Sequence, residues 1–146
     1  MTFFDPNPIG KVIIELRDDG DVHDLVDERV SGQEPAPGWA DYDESTGYAH
    51  AFIVVSILAG PPEPRLPVWR PRLSVACYGR SHQEAMAVSA AARAALHNAG
   101  PRVHGNGLGI YNSFDDTGPE AEKDPDTGQP RAIFVMDLIA TTLAVA

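Results

Sequence analysis

The sequence predicts an α+β fold: a mainly antiparallel four-stranded sheet with helices packed on one face, in the order α-α-β-β-α-β-β. Three observations carry this expectation. Apolar residues at helical spacing open the chain, at Ile9, Val12, Ile13 and Leu16. An alternating run, Leu73, Val75 and Cys77 against Ser74, Ala76 and Tyr78, stops at Gly79 and gives way to an alanine-rich helical pattern. A second alternating run closes the chain, with Phe134, Met136 and Leu138 set against Ile133, Val135 and Asp137.

Each element has its own justification. Asp5-Pro6-Asn7-Pro8 reads as a helix entry, a capping side chain followed by proline where the first amides have no partner. Asp19-Gly20 ends that helix. Asp21 and Asp24 open a shorter one, whose apolar face is Val22, Leu25, Val26 and Val30, closed by Gly32. Gln33 to Tyr48 is an extended loop of Pro, Gly, Asp and Glu around Trp39 and Tyr42. Ala49 to Ala59 is β-branched and apolar, a strand buried on both sides at its centre. Gly60 to Pro71 is a proline-rich connection that suits a long hairpin arm, because proline is tolerated at edges and not in a central ladder.

Residues 72–100 are the most informative stretch. Ser81 stands three residues before Glu84, the spacing of a capping box in which the carboxylate returns to the Ser81 amide. Ala85, Val88, Ala92, Ala95 and Ala99 form a stripe of small residues that lets a helix approach a sheet closely, and Gly100-Pro101 stops it. Gly107 to Phe114 is the third strand, with Leu108 and Ile110 on one face. Asp115 to Arg131 lacks periodicity and reads as a polar loop, and Ala132 to Leu143 is the last strand. Residues 1–146 thus form a single domain, with flexible loops near 33–48, 60–71 and 115–131.

A chain of 146 residues can bury a core without disulfide or metal. Its one cysteine, Cys77, sits mid-strand and reads as a small core residue. Met-Thr-Phe-Phe-Asp-Pro lacks the basic-then-apolar order of a signal peptide, and no apolar run is long enough to cross a bilayer, so the expectation is a soluble protein made in a reducing compartment. The formal net charge of −10 argues against nonspecific DNA binding. Between Ala49 and Phe114 the charge is reversed locally: Arg65, Arg70, Arg72, Arg80, Arg93 and Arg102 face only Glu63 and Glu84. Such asymmetry suits copies meeting head to tail, or acids that simply keep the surface solvated.

The chemistry-bearing residues form no catalytic pattern. His23, His50, His82, His97 and His104 show no metal-ligand spacing with one another or with Cys77. Asp124-Pro125-Asp126-Thr127-Gly128 resembles the start of a calcium loop and lacks its third oxygen ligand and terminal glutamate, so it reads as a solvated turn. Gly105-Asn106-Gly107-Leu108-Gly109 precedes a strand and not a helix, which suits a positive-φ turn and not a phosphate cradle. No Gly-x-Ser-x-Gly elbow is present. The expectation is no enzyme, with no catalytic, cofactor-binding or metal-binding residues. Trp39 and Trp69, in proline-rich segments, either cap the core edge or anchor a subunit contact.

The run Arg72-Leu-Ser-Val-Ala-Cys-Tyr-Gly79, the alanine-rich helix ending Arg93-Ala-Ala-Leu96-His97, Gly109-Ile-Tyr111, and Asp124-Pro-Asp-Thr-Gly-Gln-Pro-Arg-Ala-Ile-Phe134 resemble the tail terminator proteins of long-tailed, siphovirus-like bacteriophages. The two opening helices and the element order agree, so the resemblance spans most of the chain. The segments Gln33 to Tyr48 and Gly60 to Pro71 depart from it as long insertions. It implies a structural virion protein whose copies form a ring, a hexamer, at the head-proximal end of the tail after assembly in the host cytoplasm. Its partners would be itself, the major tail tube protein and a head-closure connector, with no membrane. The genome would pass through without specific binding.

Within that reading, Trp69, Arg70 and Arg72 are candidates for a subunit or tube contact. Asp115, Asp116, Glu120, Glu122, Asp124 and Asp126 are candidate acids of the lumen or the outer surface, where like charge repels phosphate. Two other readings stay open: another head–tail connector, a head-closure or adaptor protein, and a small ligand-binding α+β domain.

Overall fold

The computed structural model describes residues 2–3, 8–32, 42–59, 68–69, 72–99, 102–103, 108–142 and 144–145. In chain order it contains β1 (Thr2–Phe3), α1 (Pro8–Asp18), α2 (Gly20–Val26), β2 (Val30–Ser31), β3 (Tyr42–Asp43), β4 (Tyr48–Ala49) and β5 (Phe52–Ala59). There follow β6 (Val68–Trp69), β7 (Arg72–Tyr78), α3 (His82–Ala99), β8 (Arg102–Val103), β9 (Leu108–Lys123), β10 (Pro130–Thr142) and β11 (Ala144–Val145). The long elements alone follow the expected order, and the fold is α+β.

The sheet is larger than four strands and is mixed. Its order is β2-β5-β7-β10-β9-β8, with β6 pairing β10 beyond the end of β7. The four long strands are antiparallel. The two-residue β2 is parallel to β5. Two further pairs, β1 with β11 and β3 with β4, stand apart from it.

The helices cover one face. Ile53 and Val55 of β5, Leu73, Val75 and Cys77 of β7, and Phe134 and Met136 of β10 are buried against Val12 and Leu16 of α1, Val22 and Val26 of α2, and Val88, Ala92 and Leu96 of α3. This is the period-2 face of each strand meeting the period-3.6 stripe of each helix. Phe134 is fully buried at the centre, and its truncation to alanine would cost about 3–5 kcal/mol through lost burial and the cavity left behind. The other face carries a smaller cluster of Phe52, Ala76 and Tyr78, with Ala49, Val54 and Ile133 packed on it.

Several local expectations are corrected. The cap of α2 is Asp19, whose Oδ1 accepts from the Val22 amide at 3.1 Å; Asp21 falls inside the first turn. Val30 is buried as a strand residue of β2, not as part of a helical face. The end of the expected 33–48 loop is the β3–β4 hairpin, turned by Asp43, which accepts from the Ser45 amide and hydroxyl, and by Gly47 at φ +80°. Trp39 and the rest of 33–41 lie outside the described residues, as do Gly105 and Gly107.

The largest correction concerns Asp115 to Arg131. This stretch is not a loop. β9 continues to Lys123, a tight turn follows, and β10 resumes at Pro130. Gly118 and Pro119 sit where the register slips, between the pairs Ile133↔Glu120 and Val135↔Thr117. Proline and glycine fit a strand at such a bulge on an outer strand. The irregular pairing removes strict alternation, which is why the segment lacks a strand period.

Candidate functional site

Two polar clusters hold the end of the sheet where β7 passes into α3. The first starts from Gly79. A Cβ there would stand 2.4 Å from the Ala85 amide nitrogen, so glycine lets the first turn of α3 fold back against the strand end. Ser81 caps the helix, its Oγ accepting from the Glu84 amide at 3.1 Å. The Glu84 carboxylate does not return to Ser81. It accepts from the Arg80 amide at 2.9 Å and takes the Arg80 guanidinium by both oxygens, Nε at 3.0 Å and Nη2 at 2.7 Å.

Arg80 also donates from Nη1 to Asp43 at 2.8 Å, and the same nitrogen lies 3.2 Å from His50 Nδ1. The β3–β4 hairpin is thereby tied to the helix start. The Ser45 hydroxyl and the Arg80 guanidinium pull the Asp43 carboxyl down to about 2. Arg80 likewise lowers Glu84.

The second cluster locks the β9–β10 hairpin. Phe52, Tyr78, Arg131 and Glu122 form one cross-strand row. Phe52 stacks on Tyr78 at 4.3 Å between centroids, and the Arg131 guanidinium lies 5.7 Å over the Tyr78 ring. Arg131 donates to the Tyr78 hydroxyl at 2.9 Å and to Glu122 at 2.6 Å. The Tyr78 hydroxyl donates to Asp124 Oδ2 at 3.0 Å. Asp124 Oδ1 accepts from the amides of Asp126 and Thr127, the hydrogen-bond pattern of an Asx turn. Burial pushes Asp124 up, but these amides, Tyr78 and Arg131 outweigh it and leave it below its ordinary value. Buried Gln129 joins the parts, its Nε2 donating to the carbonyls of Ala49 at 2.9 Å and Gly79 at 3.2 Å.

These clusters make a clamp. Among the described residues, the carboxylates of Asp43, Glu84, Glu122 and Asp124 are matched by guanidinium groups, hydroxyls or amides. The Cys77 thiol is buried and burial pushes its pKa up, away from the thiolate a nucleophile needs. Among the described residues no group of three His, Cys, Asp or Glu side chains could hold a metal ion, and no helix is long and apolar enough to cross a membrane.

The residues singled out from sequence fall in different places. Trp69 lies in β6 and pairs through its backbone with Ala140 of β10, in the register that β7 continues. Arg70 lies outside the described residues. Arg72 opens β7 and pairs across the sheet with Asp137, Nε to Oδ1 at 3.0 Å. Asp115 and Asp116 are strand residues of β9. Glu120 and Asp126 are exposed, whereas Glu122 and Asp124 belong to the Arg131–Tyr78 lock. The clamp itself was not legible: only the Ser81–Glu84 spacing hinted at it. Asp43 and His50 are distant in sequence from Arg80, and Gln129 from Ala49 and Gly79, and each meets its partner only once the strands pair.

No family model and no curated protein matches the sequence. The fold does have matches among solved structures. A chain of the virion of a native gene transfer agent particle aligns with a TM-score of 0.60 at 15% identity, over 89% of this chain and 91% of its own length. At that identity the likeness is one of fold, and it extends over nearly the whole of both chains.

Proposed function

We propose that this protein is a structural component of a phage-like virion, and within it a tail terminator. As a ring it would cap the finished tail tube, stop the tube's polymerisation and dock the tail to the head. The observation that carries the reading is the fold shared, nearly end to end, with a subunit of a gene transfer agent virion. The clamp supports it, since its charged groups are spent on holding strands and helix together.

The implied partners are further copies of the chain, the tail tube protein and a head-closure connector. The net charge of −10 suits a passage that DNA crosses without sticking. Trp69, Arg70 and Arg72 remain the candidates for the subunit or tube contact, and Asp115, Asp116, Glu120, Glu122, Asp124 and Asp126 for acids of the lumen or surface.

The test is localisation. Particles carrying a labelled copy should show label at the head-proximal end of the tail, and particles lacking the protein should accumulate tubes of unregulated length. Label on the head vertex of tailless particles would assign the protein to the head side of the joint instead. Absence from purified particles would remove the reading altogether.

A further inference from the structure

The sheet has two open strand edges, and they are unlike. On one side β2 covers β5 only at Ile53 and Val54. Among the described residues no strand lies beside Val55 to Ala59 on that side. Ser56, Ile57 and Leu58 are exposed there, Ile57 to 41% and Leu58 to 56%. The stretch Val55-Ser56-Ile57-Leu58-Ala59 is uncharged and rich in strand-forming residues. An exposed apolar strand edge of this kind invites a further strand.

On the other side β8 covers β9 only at Gly109 and Ile110. Beyond them β9 runs to Lys123 with no second neighbour among the described residues. That edge carries Asp115, Asp116 and Glu120, with Glu122 held by Arg131 and Lys123 at its end. Two copies meeting edge to edge through β9 would set like charges across the new ladder, which is destabilising.

We propose that β9 of one copy takes β5 of the next copy as an added antiparallel strand, so that the sheet continues from subunit to subunit around the ring. The inference rests on the ring of the proposed function and names its contact. Strand direction supports it. Between the open edges lie β5, β7, β10 and β9, each antiparallel to the next, so β5 and β9 run in opposite senses. A neighbour related by rotation about an axis along the strands keeps its strand directions. Its β5 therefore arrives antiparallel to β9.

Charge supports it as well. The uncharged β5 stretch adds no carboxylate beside the acidic edge. A two-fold contact through β5 alone would close at a dimer and leave β9 open, whereas the unlike pairing uses both edges and repeats until it closes. The row Ser56, Ser74, Val135, Thr117 crosses the sheet at one level, so a ring without axial shift brings Ser56 of one copy beside Thr117 of the next.

Cross-linking of the full-length protein tests the contact, with buried Cys77 left in place. The variants are Ser56→Cys, Thr117→Cys and Glu120→Cys singly, and Ser56→Cys combined with each of the other two. A short flexible bismaleimide is added to concentrated protein. The expected result is a ladder of multimers ending in one closed species from at least one double variant, and monomer from every single variant. Cross-linked dimer from a single variant would mean a two-fold contact and overturn the proposal, as would monomer throughout. Labelling of particles is independent of this result. A ladder from a protein absent from the tail end would keep the contact and remove the assigned role.

Discussion

Arg80 and Glu84, one helical turn apart, meet through both nitrogens and both oxygens of a fork, at 3.0 Å and 2.7 Å, while the Arg80 amide donates to the same carboxylate. A planar guanidinium matches a carboxylate in this way and an ammonium does not. Glu84→Ala removes the acceptor of all three bonds and leaves Ser81 as cap. The pair is partly exposed, so the cost expected is about 1–2 kcal/mol, lowering the melting temperature by about 2–6 °C. Arg80→Lys should recover only part of the difference from Arg80→Ala. Calorimetric melting of the three variants measures it.

The same cluster sets an acid response. Asp43 titrates near 2 in the folded chain, against an ordinary value of 3.8. Glu84 and Asp124 are also lowered, by their guanidinium and amide partners. A depressed carboxylate binds its proton more readily unfolded than folded. Its contribution is therefore complete above the unfolded value and is lost as pH falls through the folded one. The β3–β4 hairpin should loosen between about pH 4 and pH 2, before the apolar core does. Amide exchange measured across that range should show Ser45 to Ala49 losing protection first. In Arg80→Ala the loss should begin at higher pH.

Much of the fold was legible from apolar period. The stripes of α1 and α3 and the alternation of β7 and β10 each follow one face in contact with one core, and Val12, Leu16, Val88, Ala92, Leu73, Val75, Phe134 and Met136 are buried as their spacing requires. What period did not show is the polar length of β9. β9 beyond Phe114 is polar, bulged and kept in place by its ladder to β10 and by Arg131 between Tyr78 and Glu122. Pairing with a distant partner decides such a segment, and no local pattern records it. Asp43 and Gln129 were missed for the same reason.

Gly79 makes a sharper prediction. A methyl group at this position would meet backbone of Glu84 and Ala85, within 2.4 Å at the nearest, and backbone of a capped helix cannot step aside as a flexible side chain can. Gly79 also donates its amide to the Pro130 carbonyl at 3.1 Å and accepts from Gln129, so a shift of the junction would break both. Gly79→Ala is expected to cost about 3 kcal/mol or more, since overpacking and lost buried bonds add. Denaturant unfolding should show the midpoint falling with an unchanged slope.

Ser89 predicts the opposite sign. Its hydroxyl is fully buried in α3 and finds no hydrogen-bond partner among the described residues. An unmatched buried hydroxyl is costly, and alanine removes it with little change of volume while improving helix propensity. Ser89→Ala should raise stability by about 0.5–2 kcal/mol. A fall in melting temperature would show that the hydroxyl has a bonding role.

Trp69 separates core from contact. Its backbone continues the ladder of β7 along β10, pairing with Ala140, so the strand is held by main-chain bonds that any residue at position 69 can make. If the indole serves an assembly contact, Trp69→Ala leaves the isolated chain's melting temperature within about 1–2 °C of the parent, as surface changes usually do. Assembly would weaken by about tenfold or more, because large aromatic anchors dominate interface energy. Titration of ring formation by light scattering beside a thermal melt measures both in one preparation. A drop of melting temperature by several degrees with assembly unaltered would place the indole in the core and leave the contact to other residues. The β5 edge gives the comparison: Leu58→Lys should also spare the melt, since Leu58 is 56% exposed, and should block the strand addition proposed above. If both variants assemble as the parent does, neither Trp69 nor the β5 edge is the contact.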